Sequence, residues 1–315
     1  MNKLYMGIDA GGVFVKGVII DEYDNIITSC DIENMGDPVS AVKKLILRMK
    51  EDIDLEKYKV VSVGVTGSAR KLIGILLGGQ VIKNEITALS IGTIRMYPDV
   101  RTIIDIGGED SKIIIVNDGV VIDYGISNSC NTGCGSFIDT IAKKMRIDIN
   151  LVSDLSSKGN AINITNNCIV FAESNLINKI QEGYKKEDIL AGVCNAISQN
   201  YVNTVAKGKK ILSPIVFCGG VSKNLYIVKC LEKLFGENII VNKNSYLMSA
   251  IGIAIMARNS GLEHVFDFNI EAYNVETRLV NCINCSNNCE IINVYKNDNL
   301  IDMWGNKCDK VEKNV

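Results

Sequence analysis

The sequence predicts an α/β fold built as two similar domains facing each other across a cleft, and three observations support it. First, YMGIDAGGVFVKGVIID (5–21) and TIIDIGGEDSKIIIVND (102–118) repeat each other at an offset of 96 residues (105 minus 9). Asp9 matches Asp105, Gly11 and Gly12 match Gly107 and Gly108, and Lys16 matches Lys112. Second, each copy reads as an apolar strand, a tight glycine turn and a second strand rich in Val and Ile, closed by Asp21 or Asn117. That is a hairpin pattern. Third, 315 residues with 47% hydrophobic content can bury a core large enough for two domains.

Taken in order, residues 1–100 form the first domain and 101–245 the second. A packed helix over 246–262, centred on MSAIGIAIMA (248–257), returns to the first domain, and a Cys-rich tail occupies 263–315. The helix run is too short to span a bilayer, and MNKLYMGIDAGG lacks the apolar run of a signal peptide. A cytoplasmic chain with no membrane association is therefore expected. The formal net charge of −2 provides no basic field for nucleic acid. In the cytoplasm eleven cysteines are not a disulfide framework, so clustered ones point to catalysis or metal. The single histidine, His264, excludes most histidine-based sites and reads as a surface residue.

The glycines indicate what the cleft holds. Glycine at a strand-to-strand turn admits positive φ and lets backbone N–H groups approach a phosphate. An aspartate ending each first strand, Asp9 and Asp105, can hold Mg²⁺ through water beside those phosphates. A third turn of this style, VFCGGVSKN (216–224) with Gly219 and Gly220, is placed to close over a nucleoside. Neither GxxxxGK[ST] nor GxGxxG occurs. The layout resembles the actin/Hsp70/sugar-kinase ATPase superfamily, which implies two ribonuclease-H-like domains binding ATP or ADP with Mg²⁺. In that scheme Asp9 and Asp105 organise the metal and the attacking water, with Gly11, Gly12, Lys16, Gly107, Gly108, Glu109, Lys112, Gly219 and Gly220 around the nucleotide.

Two thiol segments stand apart from this nucleotide pattern. In NSCNTGCGSFIDTIAKKM, Phe137, Ile138, Ile141, Ala142 and Met145 have helical spacing, so Cys130 and Cys134 sit at or just before a helix start. Cys168 in TNNCIVFAESNLINKIQEG precedes a second helical run that stops at Gly183. The partial positive charge at a helix start favours thiolate and an anionic ligand set. Two such cysteines suit an iron–sulfur cluster. Cys30, Cys194, Cys218 and Cys230 lie in apolar or strand-like surroundings and read as inert thiols.

Over about residues 3–260 the segments GIDAGG, NEITALSIG, TIIDIGGED, the Cys130 loop, NNCIVFAES and FCGGVSKN resemble the BadF/BadG/BcrA/BcrD ATPase family, the activators of 2-hydroxyacyl-CoA dehydratases. The resemblance implies a homodimer holding one [4Fe–4S] cluster at its interface, ligated by Cys130 and Cys168 of each chain. A two-fold axis then supplies four thiolates from two. It further implies that ATP hydrolysis changes the angle between the cluster-bearing helices. A low-potential electron then passes to a dehydratase or reductase, with ferredoxin or flavodoxin as donor. Two positions depart from the family pattern. The loop usually reads C-A-A-G-T-G-R-F, and here Cys134 replaces Thr and Ser136 replaces Arg; Glu109 stands where the family has Gln. A small-molecule kinase without a cluster, and an iron–sulfur scaffold or sensor regulated by nucleotide, are the alternatives.

The tail carries Cys282-x₂-Cys285-x₃-Cys289 and then Cys308. EIINVYKNDNLIDMWG reads as a strand, a polar turn through Asn297, Asp298 and Asn299, and a second strand, returning Cys308 toward the other three. Four thiolates suit Zn²⁺ or a second iron–sulfur cluster.

Overall fold

The computed structural model describes residues 1–127, 134–164, 169–270, 275–283 and 285–307, the side chains of 169–173 excepted. Cys130, Cys168 and Cys308 therefore lie outside the described residues. The chain divides into two units: Met1–Gly11 with Val15–Lys83 and Ala254–Val315, and Gly12–Phe14 with Asn84–Ile253.

The first unit opens with β1 (Asn2–Ala10), β2 (Phe14–Ile20) and β3 (Ile26–Glu33), then α1 (Pro38–Glu51), β4 (Tyr58–Thr66), α2 (Arg70–Leu77) and β5 (Val81–Ile82). The strands form one mixed sheet in the order β3-β2-β1-β4-β5, with β1 antiparallel to β2 and parallel to β4. β1 is buried over its last seven residues, which explains its almost unbroken apolar run. α1 starts where Asp37 accepts a hydrogen bond from the Ser40 N–H, with Pro38 in its first turn. Its Val42, Leu45, Ile46 and Met49 fall at helical spacing and are fully buried with Leu4, Met6 and Ile8 of β1 in one core.

The second unit continues with α3 (Glu85–Met96), β6 (Thr102–Ile106), β7 (Ser111–Asn117), β8 (Val120–Ser127), α4 (Gly135–Met145), α5 (Val152–Lys158), α6 (Ile169–Gln181) and α7 (Lys186–Thr204). β9 (Ile215–Cys218), α8 (Leu225–Phe235) and β10 (Ile239–Ile240) follow, and α9 (Met248–Asn259) runs out of this unit into the first, which resumes at Ala254. The second unit's sheet runs β10-β9-β6-β7-β8, with β6 antiparallel to β7 and parallel to β9. The two sheets thus share a plan: an antiparallel meander of three strands, extended by parallel strands beside the first. α4 is the helix expected over 135–145; Phe137, Ile138, Ile141, Ala142 and Met145 all enter the core with Ile104, Ile106 and Phe217.

After α9 the chain runs along β4, where His264 N–H donates to Val61 O and Phe266 N–H to Val60 O. β11 (Val275–Asn281), β12 (Glu290–Lys296) and β13 (Asn299–Trp304) then form a three-stranded antiparallel sheet. The β12–β13 hairpin turns through Asn297 and Asp298, both at positive φ. Phe266, Phe268, Ile270, Val275 and Val294 belong to the same core as α1 and β1, so this segment is packed into the first unit. Among the described residues, no helix is long and apolar enough to cross a membrane.

Candidate nucleotide and cysteine-loop site

In the first unit the hairpin register sets Asp9 directly opposite Lys16, whose Nζ lies 3.5 Å from Asp9 Oδ2. Asp9 is nearly buried at the carboxyl end of its strand, where the chain turns through Gly11 and Gly12. On its other side stands Thr66 of β4, a fully buried residue whose hydroxyl has no hydrogen-bond partner among the described residues. An unsatisfied buried hydroxyl beside a carboxylate fits a site completed by water or a hydrated cation. Asn34 Nδ2 donates to Gly11 O at 2.8 Å and fixes the turn.

The second unit repeats the arrangement with a tighter charge set. Asp105 faces Lys112 across β6 and β7. Lys112 Nζ lies 2.8 Å from Glu85 Oε2, 2.7 Å from Asp110 Oδ1 and 3.5 Å from Asp105 Oδ2. Burial alone pulls this ammonium down, but the three carboxylates outweigh it and hold its pKa well above the ordinary lysine value. Glu85 and Asp110 carry no mark of this role in the sequence. Asp110 lies within the glycine motif and Glu85 within NEITALSIG, but the separation of 27 positions from Glu85 to Lys112 (112 minus 85) conceals their pairing.

Two glycines are fixed by close approach. Gly219, just after β9, has φ +83°, and a Cβ there would meet Asp105 Oδ1 at 2.6 Å and overlap Ile106 O. The third glycine turn therefore lies against the second aspartate. Gly12, counted with the second unit, has the Glu109 carboxylate in the space a Cβ would fill. The residue that departs from the family pattern packs on a glycine of the first repeat.

The start of α4 is bound to the second glycine turn. Gly135 N–H donates to Gly107 O at 2.8 Å and Ser136 N–H to Gly108 O at 3.0 Å. A helix start leaves its first N–H groups without internal partners, and here two of them are satisfied by the turn itself. This accounts for Cys134 at the N-cap position with no side-chain cap bond. Cys134 is buried, 3.6 Å from Ser111 Oγ, and burial pushes its thiol up to about 11. It packs beside Ser111 of β7. Tyr201 of α7, also fully buried, donates to Lys112 O at 2.9 Å. Of the remaining thiols, Cys194 and Cys218 are fully buried in the core, and Cys30 and Cys230 are partly buried.

The family model for the BadF/BadG/BcrA/BcrD ATPases matches residues 6–257. The chain belongs to this family. It is 30% identical over 263 residues to the 2-hydroxyisocaproyl-CoA dehydratase activator of Clostridioides difficile, covering 82% of this chain and 96% of that protein. It is 27% identical to the (R)-2-hydroxyglutaryl-CoA dehydratase activating ATPase of Acidaminococcus fermentans, covering 82% of this chain and 98% of that one. Among solved structures, the C. difficile activator with bound ADPNP superposes with a TM-score of 0.73 at 30% identity, covering 82% and 95% of the two chains. A ROK-family glucokinase from Streptomyces griseus, 14% identical with a TM-score of 0.52 over 81% and 99%, shares the fold. This family member thus has the sugar-kinase type of ATPase fold, with two mixed sheets. The family match ends before β11, so the thiol-bearing sheet lies beyond it.

Proposed function

We propose that this family member is an ATP-driven, low-potential one-electron donor that activates a 2-hydroxyacyl-CoA dehydratase or a related CoA-ester reductase. The observation that carries the reading is the pair of hydrogen bonds from Gly135 and Ser136 to the carbonyls of Gly107 and Gly108. They make the glycine turn assigned to phosphate and the helix that follows the Cys130 loop one hydrogen-bonded piece. In this reading a change in that turn as ATP becomes ADP shifts the start of α4 through these two backbone bonds. The coupling requires that ATP bind the two arrangements with different affinity.

Asp9 and Asp105, each ending its first strand, serve Mg²⁺ and the attacking water. Lys16 and the glycines of each turn face phosphate, while Lys112 holds Asp105 in place against Glu85 and Asp110. α6 begins at Ile169, the residue after Cys168, and α4 five residues after Cys130. Both thiols precede a helix in the sequence and, by the family resemblance, fit ligation of a [4Fe–4S] cluster shared by two chains. When bound, that cluster supplies the one-electron chemistry. The names of the relatives support the dehydratase as acceptor, and a benzoyl-CoA reductase component from Thauera aromatica, 24% identical, extends the range of acceptors. Ferredoxin or flavodoxin is the donor that the family resemblance implies.

Anaerobic purification tests this reading. A brown homodimer with about four irons, lost in Cys130→Ala and in Cys168→Ala, is the expected result. A colourless protein that phosphorylates a sugar would overturn it in favour of the kinase reading.

A further inference from the structure

We propose that Thr66 is a further residue of the hydrolytic site, its hydroxyl holding the attacking water beside Asp9; this rests on Asp9 serving ATP hydrolysis, as proposed.

The two units share more than their hairpins. In each, a parallel strand lies beside the first strand, and the register pairs Thr66 of β4 with Asp9 and Cys218 of β9 with Asp105. Each is followed by a glycine at positive φ, Gly67 at +97° and Gly219 at +83°. A Cβ on Gly67 would meet Ala10 O at 2.4 Å, and one on Gly219 would meet Ile106 O at 2.4 Å. Ala10 and Ile106 are the residues that follow Asp9 and Asp105. TGSAR (66–70) is therefore the first unit's counterpart of the glycine turn expected to close over the nucleoside.

The counterparts differ in one respect. Cys218 is fully buried, and its Sγ has Thr93 Oγ1 as a partner at 3.6 Å. Thr66 is equally buried, yet its hydroxyl has no hydrogen-bond partner among the described residues. Leaving a buried hydroxyl unpaired costs stability, so a partner from outside the chain is implied.

The position fits water. Residues paired across neighbouring strands project to the same face, so Thr66, Asp9 and Lys16 form one row across β4, β1 and β2. The ion pair of Lys16 with Asp9 at 3.5 Å agrees with that row. The turn after Thr66 is pinned to β1, because Ala69 N–H donates to Ala10 O at 3.1 Å and Ser68 Oγ to the same oxygen at 3.4 Å. The hydroxyl is thereby held in place relative to the carboxylate. An ionised Asp9 only accepts hydrogen bonds, whereas a hydroxyl also donates. A water that donates to Asp9 and accepts from Thr66 satisfies the orphaned group and keeps a lone pair for the γ-phosphorus. Hydrolysis forms the bond from that water oxygen to phosphorus and breaks the bond to the bridging oxygen, which leaves on ADP with the electron pair. The water's proton passes by way of Asp9 to solvent.

The test measures ATP turnover and Tm of the full chain with Thr66→Val, which keeps the shape and removes the hydroxyl. At saturating Mg²⁺ kcat should fall about 10- to 100-fold, with Tm equal to or above that of the wild type. Thr66→Ser should recover most of the turnover. Ser62 is the control: its hydroxyl is also buried without a partner among the described residues, but its register partner is Tyr5. Ser62→Ala should leave kcat unchanged. Wild-type kcat in Thr66→Val overturns the proposal, as does a loss of turnover matched by a lower Tm. A loss that disappears as Mg²⁺ is raised also overturns it, since the hydroxyl would then belong to the metal's water shell. Asp9→Asn distinguishes the two failures. Unchanged turnover there removes the role of Asp9 itself, whereas lost turnover there with wild-type kcat in Thr66→Val removes only Thr66.

Discussion

Replacing Lys112 and Lys16 in turn by Met separates two lysines that sequence alone treats as equivalent. Lys112 is in contact with three carboxylates at 2.7, 2.8 and 3.5 Å, and its side chain is 6% exposed. Lys16 makes an ion pair with Asp9 at 3.5 Å and is 17% exposed. At an effective dielectric constant near 20, charges this close interact by roughly 5–6 kcal/mol per pair before desolvation is subtracted. Removing the shared cation leaves like charges packed together, and breaking a buried pair in this way costs about 3–5 kcal/mol. For a unit of this size that lowers Tm by about 6–20 °C. Lys16→Met, losing one marginal contact, should cost about 1–2 kcal/mol. Urea melts of both variants give the comparison. Partial rescue by Glu85→Gln with Asp110→Asn is expected. Equal losses for the two lysines would refute the reasoning.

Three further outcomes follow from the same geometry. Asp9→Asn and Asp105→Asn should each lower ATP turnover by about 10²-fold or more with little change in Tm and iron retained, whereas aspartates that merely close hairpin turns would lose stability and keep turnover per folded molecule. Gly219→Ala, at φ +83° and against Asp105, should cost turnover and about 1–3 kcal/mol of stability; wild-type turnover and Tm would remove the third turn from the site. Burial raises the Cys134 thiol from 9.0 to about 11 and Cys194 from 9.0 to about 12. The folded state therefore holds these protons more tightly than the unfolded chain, so their contribution is complete below pH 9 and lost as pH rises through 11 to 12. The urea midpoint should fall over that range, and less in Cys134→Ala; a flat profile would contradict buried thiols.

The paired hairpins were legible because Asp, Gly and Lys recur at a constant offset, and the register sets Asp9 opposite Lys16 and Asp105 opposite Lys112. α4 was legible because five apolar residues at helical spacing must share a face, and the β12–β13 hairpin because Asn297 and Asp298 suit positive φ. Other features had no local signature. β8 exposes Val120, Ile122 and Tyr124, so its composition imitates a buried strand while its position is an edge. β11 reads VETRLVN and is exposed along most of its length, leaving little alternation to mark it. The bonds from α4 to Gly107 and Gly108, and those from Lys112 to Glu85, join residues 27 or 28 apart (135 minus 107; 112 minus 85). Sequence spacing carries no trace of such pairings, because they depend on how whole elements pack.

The proposed coupling of hydrolysis to electron transfer is tested most directly by mixing the anaerobically purified, reduced protein with a 2-hydroxyacyl-CoA dehydratase and following reduction of the acceptor. With ATP, reduction should proceed in step with release of ADP and phosphate; with ADPNP in its place, reduction should stall. Reduction at the same rate with ADPNP, or with no nucleotide at all, would contradict it.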